Sequence, residues 1–199
     1  MNKNEAAGAL QSPAPATVTY NGLTFVPYIS RKDISKRVSD IAASLSSRFA
    51  GRVPLVVCVL NGAFPFASDI FRSLTIDAEI AFVRLKSYDG MASTGSIKQL
   101  QGLSENIEGR DVIIIEDIID TGRTMNNLLK DLNARSPRSL SVATLLFKPD
   151  ALLCDIKPDY IGFEIPSKFI IGYGLDLDGL ARNLPDIWVL SEKDTVESK

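Results

Sequence analysis

Three carboxylates and a short turn lie together in the middle of the chain, within residues 112–124. Glu116 and Asp117 follow a run of apolar β-formers, Asp120 comes shortly after them, and Thr121-Gly122-Arg123-Thr124 completes the segment. Carboxylates accept hydrogen bonds only, which suits sugar hydroxyls or a metal ion. The backbone N–H groups of the turn, with the positive end of a following helix, favour a phosphate. The segment therefore predicts a small-molecule site that combines a phosphate cradle with acidic acceptors.

The absence of one residue type narrows the chemistry further. The chain of 199 residues contains no histidine. Ser-His-Asp catalysis, Cys-His catalysis and histidine-ligated metal sites are therefore excluded. Any proton transfer must use a carboxylate, lysine, tyrosine or cysteine, and any metal is expected to be a hard cation held by oxygen.

Composition sets the class of protein. With 45% apolar residues, the chain is expected to form one medium domain with a proper core, over residues 17–199. Residues 1–16 are expected to be a flexible polar leader without the apolar segment of a secretory signal. A net charge of −2 gives no electrostatic reason to expect a nucleic-acid or membrane partner. Cys58 and Cys154 are expected to be reduced thiols, which favours a cytoplasmic location.

The elements that must position these residues alternate between strand and helix. One or two short strands around Asn21-Gly22 are expected to precede a helix capped by Ser30 and ended by Gly51. The motif strand is expected to end where its charges begin, because unpaired charge is costly in a core. The remaining expectations are strands at 54–60, 78–85 and 139–147, helices at 63–73 and 125–132, and a long mobile loop at 87–99.

This alternation predicts an α/β fold, a twisted parallel sheet flanked by helices. The N-terminal strands and residues 159–190, where short strands are punctuated by glycine and proline, are expected to form a small accessory lobe, or hood. Because parallel strands share one carboxyl edge, three segments should meet there: Leu60-Asn61-Gly62, residues 116–124, and the strand end at Lys148.

Each of these residues also has an ordinary structural interpretation. Leu60-Asn61-Gly62 is a common strand-to-helix turn, and Lys148 alone would by default be a solvated surface lysine. Glu116-Asp117 also resembles a Walker B or receiver-type magnesium site, although the chain has no P-loop sequence. The later candidates have similar alternatives: Phe169 as core, Arg182 as a surface residue, and Asp176 as a loop cap.

The segment E-D-I-I-D-T-G-R-T resembles the phosphoribosyl-pyrophosphate signature of the type I phosphoribosyltransferases. Four further segments, in order, resemble the hypoxanthine/guanine branch of that family. They are L-N-G-A, R-L-K-S-Y, L-L-F-K-P-D and G-F-E-I-P-S-K-F-I-I-G-Y-G-L-D with the following A-R-N-L-P. The resemblance runs from about residue 25 to residue 190 and implies the type I phosphoribosyltransferase fold.

The resemblance implies a role for each candidate residue. Asp120 would be the general base and acid beside purine N7, while Lys148 would donate to purine O6. Grouped by role, the implied residues are the ribose-phosphate contacts (Glu116, Asp117, Asp120, Thr121, Gly122, Arg123, Thr124), the pyrophosphate contacts (Leu60, Asn61, Gly62, Arg182), the purine contacts (Lys148, Phe169, Ile170), the lid (Ser87, Tyr88) and the metal ligands (Asp176, Glu116, Asp117).

The activity implied is purine salvage. The enzyme would transfer the 5-phosphoribosyl group from phosphoribosyl pyrophosphate to hypoxanthine or guanine, giving IMP or GMP and pyrophosphate, with Mg2+ as cofactor. Relatives are usually homodimers or homotetramers, so the same is expected here. A ligand-sensing regulator on the same fold is the alternative. Such proteins usually carry a basic face or an added nucleic-acid-binding segment, and retention of Asp120, Lys148 and Asp176 favours the enzyme.

Overall fold

The computed structural model describes residues 16–86 and 98–195, except for the side chains of residues 86, 98–101 and 195. Helices α1, α2 and α3 separate strands along the first part of these residues, and mostly short strands follow. In chain order the elements are β1 (Val18–Tyr20), β2 (Leu23–Ile29), α1 (Arg31–Arg48), β3 (Leu55–Leu60), α2 (Phe64–Ser73), β4 (Glu79–Lys86), β5 (Lys98–Gln101), β6 (Asp111–Ile119), α3 (Arg123–Asn133), β7 (Ser139–Phe147), β8 (Tyr160–Glu164), β9 (Ile170–Ile171), β10 (Ile187–Leu190) and α4 (Glu192–Thr195).

The main sheet has the strand order β5-β4-β3-β6-β7-β8. Strands β4, β3, β6, β7 and β8 are parallel, and β5 is antiparallel to β4 at one edge. Helices α1 and α2 cover one face, where they pack on Val56, Cys58 and Ile113. Helix α3 covers the other face, where it packs on Val57 and Ile114. The α/β fold with a parallel sheet flanked by helices is confirmed.

Local sequence accounts for the elements nearest the site. Strand β3 is continuously apolar because helices cover both of its faces. Helix α1 begins after Ser30, whose hydroxyl accepts a hydrogen bond from the Asp33 N–H at 3.2 Å. Helix α2 begins directly after β3 and its loop, with Pro65 in the first turn, where a missing N–H costs nothing.

A second, smaller sheet forms the hood. It is antiparallel, has the order β1-β2-β10-β9, and encloses Phe25, Ile171, Ala181 and Trp188. The expected hood boundary at residue 159 is wrong. Strand β8 pairs in parallel with β7 in the main sheet, and the Ile165 N–H extends this contact by donating to the Phe147 carbonyl at 2.8 Å. The later part of the hood therefore follows β8.

Two further expectations are corrected. Strand β6 does not end at Glu116 but runs on to Ile119, because β7 continues to pair with it and supplies Thr144 opposite Glu116. Residues 98 and 99, expected in a loop, belong to β5, where Lys98 and Gln99 pair with β4. Within the described ranges, no helix combines the length and apolar character that a membrane crossing requires.

Candidate active site

Three strand ends meet at the carboxyl edge of the main sheet. Strands β3, β6 and β7 lead into Asn61, Asp120 and Lys148 respectively, and β6 lies between the other two strands. The Lys148 N–H donates to the Ile119 carbonyl at 3.0 Å, which holds the ends of β6 and β7 side by side. The structure therefore brings together the three segments that the sequence placed at this edge.

Asp120 and Lys148 form an ion pair across two strand ends. The Lys148 Nζ lies 2.8 Å from the Asp120 Oδ2. The lysine side chain is 10% exposed, whereas the aspartate side chain is 47% exposed. A buried ammonium thus holds an accessible carboxylate in one orientation, and the two groups present a donor and an acceptor side by side. Lys148 is therefore not the solvated surface lysine of the ordinary interpretation.

Glu116 and Asp117 are half-buried near the end of β6. Loss of contact with water raises the pKa of Glu116 well above its usual range, and the negative charge of Asp117 raises it further. Burial also raises the pKa of Asp117, although hydrogen bonds and the positive charge of Arg182 act in the opposite direction. Without a ligand, ionisation of both carboxyl groups at once is therefore unfavourable. A ligand that brings positive charge is electrostatically favoured there.

The loop after β3 approaches this acid pair closely. A Cβ built on Gly62 would lie 1.6 Å from the Asp117 Oδ2, so only glycine leaves the carboxylate where it is. The peptide bond between Leu60 and Asn61 is cis. Asn61 is exposed and Gly62 is buried, so the loop turns from open solvent into the site.

The turn after β6 forms the wall of a cleft. Gly122 adopts a left-handed φ of +77° and precedes α3 without a side-chain cap, which leaves the first-turn N–H groups of the helix for a ligand. The Leu153 N–H donates to the Thr121 carbonyl at 3.0 Å and supports the turn from behind. The cleft has a volume of about 180 Å³ and is lined by residues 116–122, Thr124 and Met125.

Residues 174–182 of the hood, here called the arm, reach the carboxyl edge of the main sheet. Asp176 and Arg182 form an ion pair at 2.7 Å, and the Arg182 Nη1 also donates to the Gly174 carbonyl at 2.6 Å. A Cβ on Gly174 would lie 1.9 Å from the Gly62 carbonyl oxygen, so the arm lies directly against the loop after β3. Arg182 is half-buried and is not the surface residue of the ordinary interpretation.

The aromatic candidate lies in the hood. Phe169 is 45% exposed, and its ring centroid is 6.1 Å from that of Phe25 at an interplanar angle of 44°. Ile170 is buried and pairs with Val189 of β10. An exposed ring backed by a second ring is suited to stack on a planar ligand.

The expected lid, Ser87 and Tyr88, lies outside the described residues. Metal ligands were expected at Asp176, Glu116 and Asp117. In residues 16–86 and 98–195, no three acidic, cysteine or histidine side chains cluster as a metal site. The donors near the cleft are thus separate carboxylates and not a closed cage.

One contact beside the site was missed by sequence reasoning. The Tyr173 hydroxyl donates to the Asp69 Oδ2 at 2.7 Å, across 104 residues of sequence. The available signal was the pair of glycines around Tyr173, since flanking glycines indicate unusual backbone angles or close approach.

Comparison with known proteins places this geometry in context. Residues 29–178 match the phosphoribosyl transferase domain model. The chain is similar to hypoxanthine-guanine phosphoribosyltransferases of Streptococcus thermophilus strain CNRZ 1066 (42% identity over 165 residues, 82% of this chain and 92% of the relative) and Bacillus subtilis strain 168 (41% over 163 residues, 81% and 91%). It also resembles a crystal structure of a hypoxanthine phosphoribosyltransferase from Staphylococcus aureus, with a TM-score of 0.81 at 36% identity, covering 87% of this chain and 94% of that one.

Proposed function

The chain belongs to the phosphoribosyl transferase family, and we propose that it transfers the 5-phosphoribosyl group of phosphoribosyl pyrophosphate to a 6-oxopurine, releasing pyrophosphate. With hypoxanthine or guanine the products are IMP or GMP, so the enzyme serves purine salvage. The observation that carries the proposal is the pairing of Asp120 with Lys148 at 2.8 Å beside the cleft of the phosphate turn. A 6-oxopurine presents N7 and O6 on one edge, which this acceptor and donor match.

We assign the three parts of phosphoribosyl pyrophosphate to the cleft and to the loop and arginine beside it. We assign the 5′-phosphate to the turn of residues 121–124, where the N–H groups and helix dipole of α3 favour an anion. We assign the ribose hydroxyls to Glu116 and Asp117, which lie at the same cleft as acceptors. The leaving pyrophosphate is assigned to the loop of Leu60, Asn61 and Gly62, together with Arg182.

The residues divide the chemistry of the transfer between them. As the bond from the ribose anomeric carbon to pyrophosphate breaks, positive charge develops on the sugar. The burial that raises the pKa of Glu116 and Asp117 also keeps water away from them, so an ionised carboxylate there interacts with this charge more strongly than it would in water. The purine nitrogen forms the new bond to the anomeric carbon, and Asp120 accepts the proton from N7. Lys148 holds Asp120 in place until the base arrives.

Recognition of the base rests on three further contacts. The Lys148 ammonium donates to the purine O6, which adenine replaces with an amino group that cannot accept that bond. The Phe169 ring stacks on the base, and the backbone of Ile170 contacts the 2-position. In this proposal Ser87 and Tyr88, which lie outside the described residues, keep the role that the family resemblance implies for them, which is to exclude the water that would otherwise attack the electrophilic sugar.

Magnesium is the proposed cofactor, with Asp176, Glu116 and Asp117 as its protein ligands. Separate oxygen donors fit this ion, because magnesium is usually held by one or two carboxylates, water and substrate phosphates and not by a protein cage. When bound, it neutralises charge that develops on the pyrophosphate. Until then, Arg182 offsets the charge of Asp176 at 2.7 Å.

The oligomeric state and the location of the protein are proposed from the family and from the state of its cysteines. Because members of the family are usually homodimers or homotetramers, we propose the same for this chain, and light scattering on the purified protein measures the oligomeric state. Cys58 and Cys154 are both free thiols, which agrees with a cytoplasmic location.

The proposal is tested by product formation. Purified protein is incubated with magnesium, phosphoribosyl pyrophosphate and, in turn, hypoxanthine, guanine or xanthine, and the nucleotides are separated by chromatography. We expect IMP or GMP together with stoichiometric pyrophosphate. If none of the three bases gives a nucleotide, the proposal is refuted.

A further inference from the structure

We propose that the hydrogen bond between Tyr173 and Asp69 is a positioning contact that sets the pyrophosphate-binding half of the site, an inference that rests on the proposed function. The Tyr173 hydroxyl donates to the Asp69 Oδ2 at 2.7 Å. Neither residue lines the cleft or stands among the substrate contacts assigned above. Each belongs, however, to a segment that carries some of those contacts, so the bond joins the two segments.

Asp69 belongs to the segment that carries Gly62. It lies on α2, which begins at Phe64 directly after the loop of Leu60, Asn61 and Gly62. The inner face of α2 is firmly packed, with Phe66 and Ile70 fully buried in the core. Asp69 is thus a fixed point on the helix that holds one half of the pyrophosphate site.

Tyr173 belongs to the segment that carries Asp176 and Arg182. Its backbone φ is +46°, and it lies between Gly172 at +97° and Gly174 at +101°. Three consecutive residues in the left-handed region are costly for a non-glycine residue at the centre. Such a backbone persists only where surrounding contacts hold it, and the Tyr173 hydroxyl supplies one of them.

The two segments touch at Gly174. A Cβ on Gly174 would lie 1.9 Å from the Gly62 carbonyl oxygen and 3.0 Å from the Pro65 Cδ, so the backbones are in direct contact. Gly174 also bonds Arg182 twice, accepting from its Nη1 at 2.6 Å and donating to its carbonyl at 3.0 Å. A shift at Tyr173 would therefore be passed to Gly62 on one side and to Arg182 on the other.

The bond is suited to this role over a wide pH range. Burial raises the pKa of the Tyr173 phenol, and the Asp69 carboxylate raises it further, so the hydroxyl remains protonated and donates. Tyr173 is 8% exposed, so water has little access to replace the contact. Loss of the hydroxyl leaves a half-buried carboxylate without this donor.

The alternative is that the contact only stabilises the packing of the hood on the main sheet. The two roles differ in which substrates bind more weakly when the contact is lost. A structural tie would lower the melting temperature without selecting one substrate. A positioning contact would weaken the binding of pyrophosphate and phosphoribosyl pyrophosphate while sparing the purine. Asp120 and Lys148 follow β6 and β7, and Ile170 is held separately by its pairing with Val189 of β10.

The test compares Tyr173→Phe, Asp69→Ala, Asp69→Asn and the double variant Tyr173→Phe/Asp69→Ala. The matched control is Tyr160→Phe, which removes a hydroxyl beside Arg48 at the start of β8. We expect Tyr173→Phe to raise the KM for phosphoribosyl pyrophosphate and the Kd for magnesium pyrophosphate by roughly tenfold, at an unchanged KM for hypoxanthine. Asp69→Ala should match it, the double variant should be no worse than either single change, and Asp69→Asn, which keeps an oxygen acceptor, should recover most of the affinity.

The inference would be overturned if Tyr173→Phe bound phosphoribosyl pyrophosphate and magnesium pyrophosphate as tightly as the wild type, whether or not its melting temperature fell. It would also be overturned if the KM for hypoxanthine rose by the same factor as the KM for phosphoribosyl pyrophosphate. If Tyr173→Phe does not fold, the comparison of Asp69→Asn with Asp69→Ala decides. Calorimetry with magnesium pyrophosphate needs no turnover. A wild-type protein that forms no nucleotide would therefore refute the proposed function, while the pyrophosphate comparison still decides this contact.

Discussion

Adding a single methyl group at Gly62 tests how closely the loop after β3 and the acid pair are matched. In Gly62→Ala the new Cβ would lie 1.6 Å from the Asp117 Oδ2 and 2.6 Å from its Cγ, well inside the 3.0 Å that real Cβ contacts respect. The carboxylate must therefore swing away by more than an ångström, or the loop must move. Because Asp117 is half-buried, rotation of its side chain is the easier response.

The effect on activity should exceed the effect on stability. Overpacking costs about 1–3 kcal/mol, and the rotation of Asp117 places this variant at the low end. A misplacement of about 1 Å at a substrate contact lowers kcat/KM by about 10²-fold, and we expect that loss for phosphoribosyl pyrophosphate. Steady-state kinetics with varied phosphoribosyl pyrophosphate, together with thermal unfolding, measures both quantities.

Two controls isolate the mechanism. Gly22→Ala, in the turn between β1 and β2, meets no atom within 4 Å but strains a φ of +79°, so it should lower stability and leave the kinetics unchanged. Adding Gly62→Ala to Asp117→Ala should cost little further activity, because the two changes disrupt the same carboxylate. An unchanged kcat/KM for phosphoribosyl pyrophosphate in Gly62→Ala would refute the assignment of Asp117 to the ribose.

Three further outcomes follow from the same geometry. Asp120→Asn should lower turnover by about 10²–10⁴-fold with a modest loss of phosphoribosyl pyrophosphate binding, and full turnover would show that Asp120 is not the proton acceptor. Lys148→Ala should weaken purine binding and spare pyrophosphate binding in calorimetry, whereas the exposed Lys157→Ala should change neither; an unchanged purine affinity in Lys148→Ala would count against the O6 contact. Burial raises the pKa of Cys58 to about 12, so a thiol reagent at neutral pH should modify only Cys154 in the native protein; rapid labelling of both thiols would contradict the buried position of Cys58.

Elements defined by nearby residues were predictable from the sequence. The continuous apolar run at 54–60 became β3 at Leu55–Leu60, and 139–147 became β7 with the same bounds. The helix expected at 63–73 is α2, Phe64–Ser73, because a proline in the first turn marks a helix start. In each case the signal lies within the segment itself, as hydrophobic periodicity or a capping residue.

Features that depend on a distant partner were not predictable in this way. The charges of Glu116 and Asp117 suggested the end of β6, yet pairing with β7 extends the strand past them. Strand β8 was expected in the hood because nothing within its own sequence indicates that it pairs with β7. The contact between Tyr173 and Asp69 spans 104 residues, and the glycines that flank Tyr173 indicate an unusual backbone there without identifying Asp69 as its partner. The motif of residues 116–124 could therefore be recognised in the sequence, whereas the contacts that orient it were found only in the structure.

The most direct measurement of the central claim is the ratio of kcat/KM for hypoxanthine to kcat/KM for adenine with magnesium and saturating phosphoribosyl pyrophosphate. If the Asp120–Lys148 pair reads the purine edge while the adjoining turn holds the 5′-phosphate, hypoxanthine should be preferred by about 10⁴-fold or more, since the buried Lys148 ammonium finds no acceptor on adenine. Equal values for the two bases, or no nucleotide from hypoxanthine, would contradict the account.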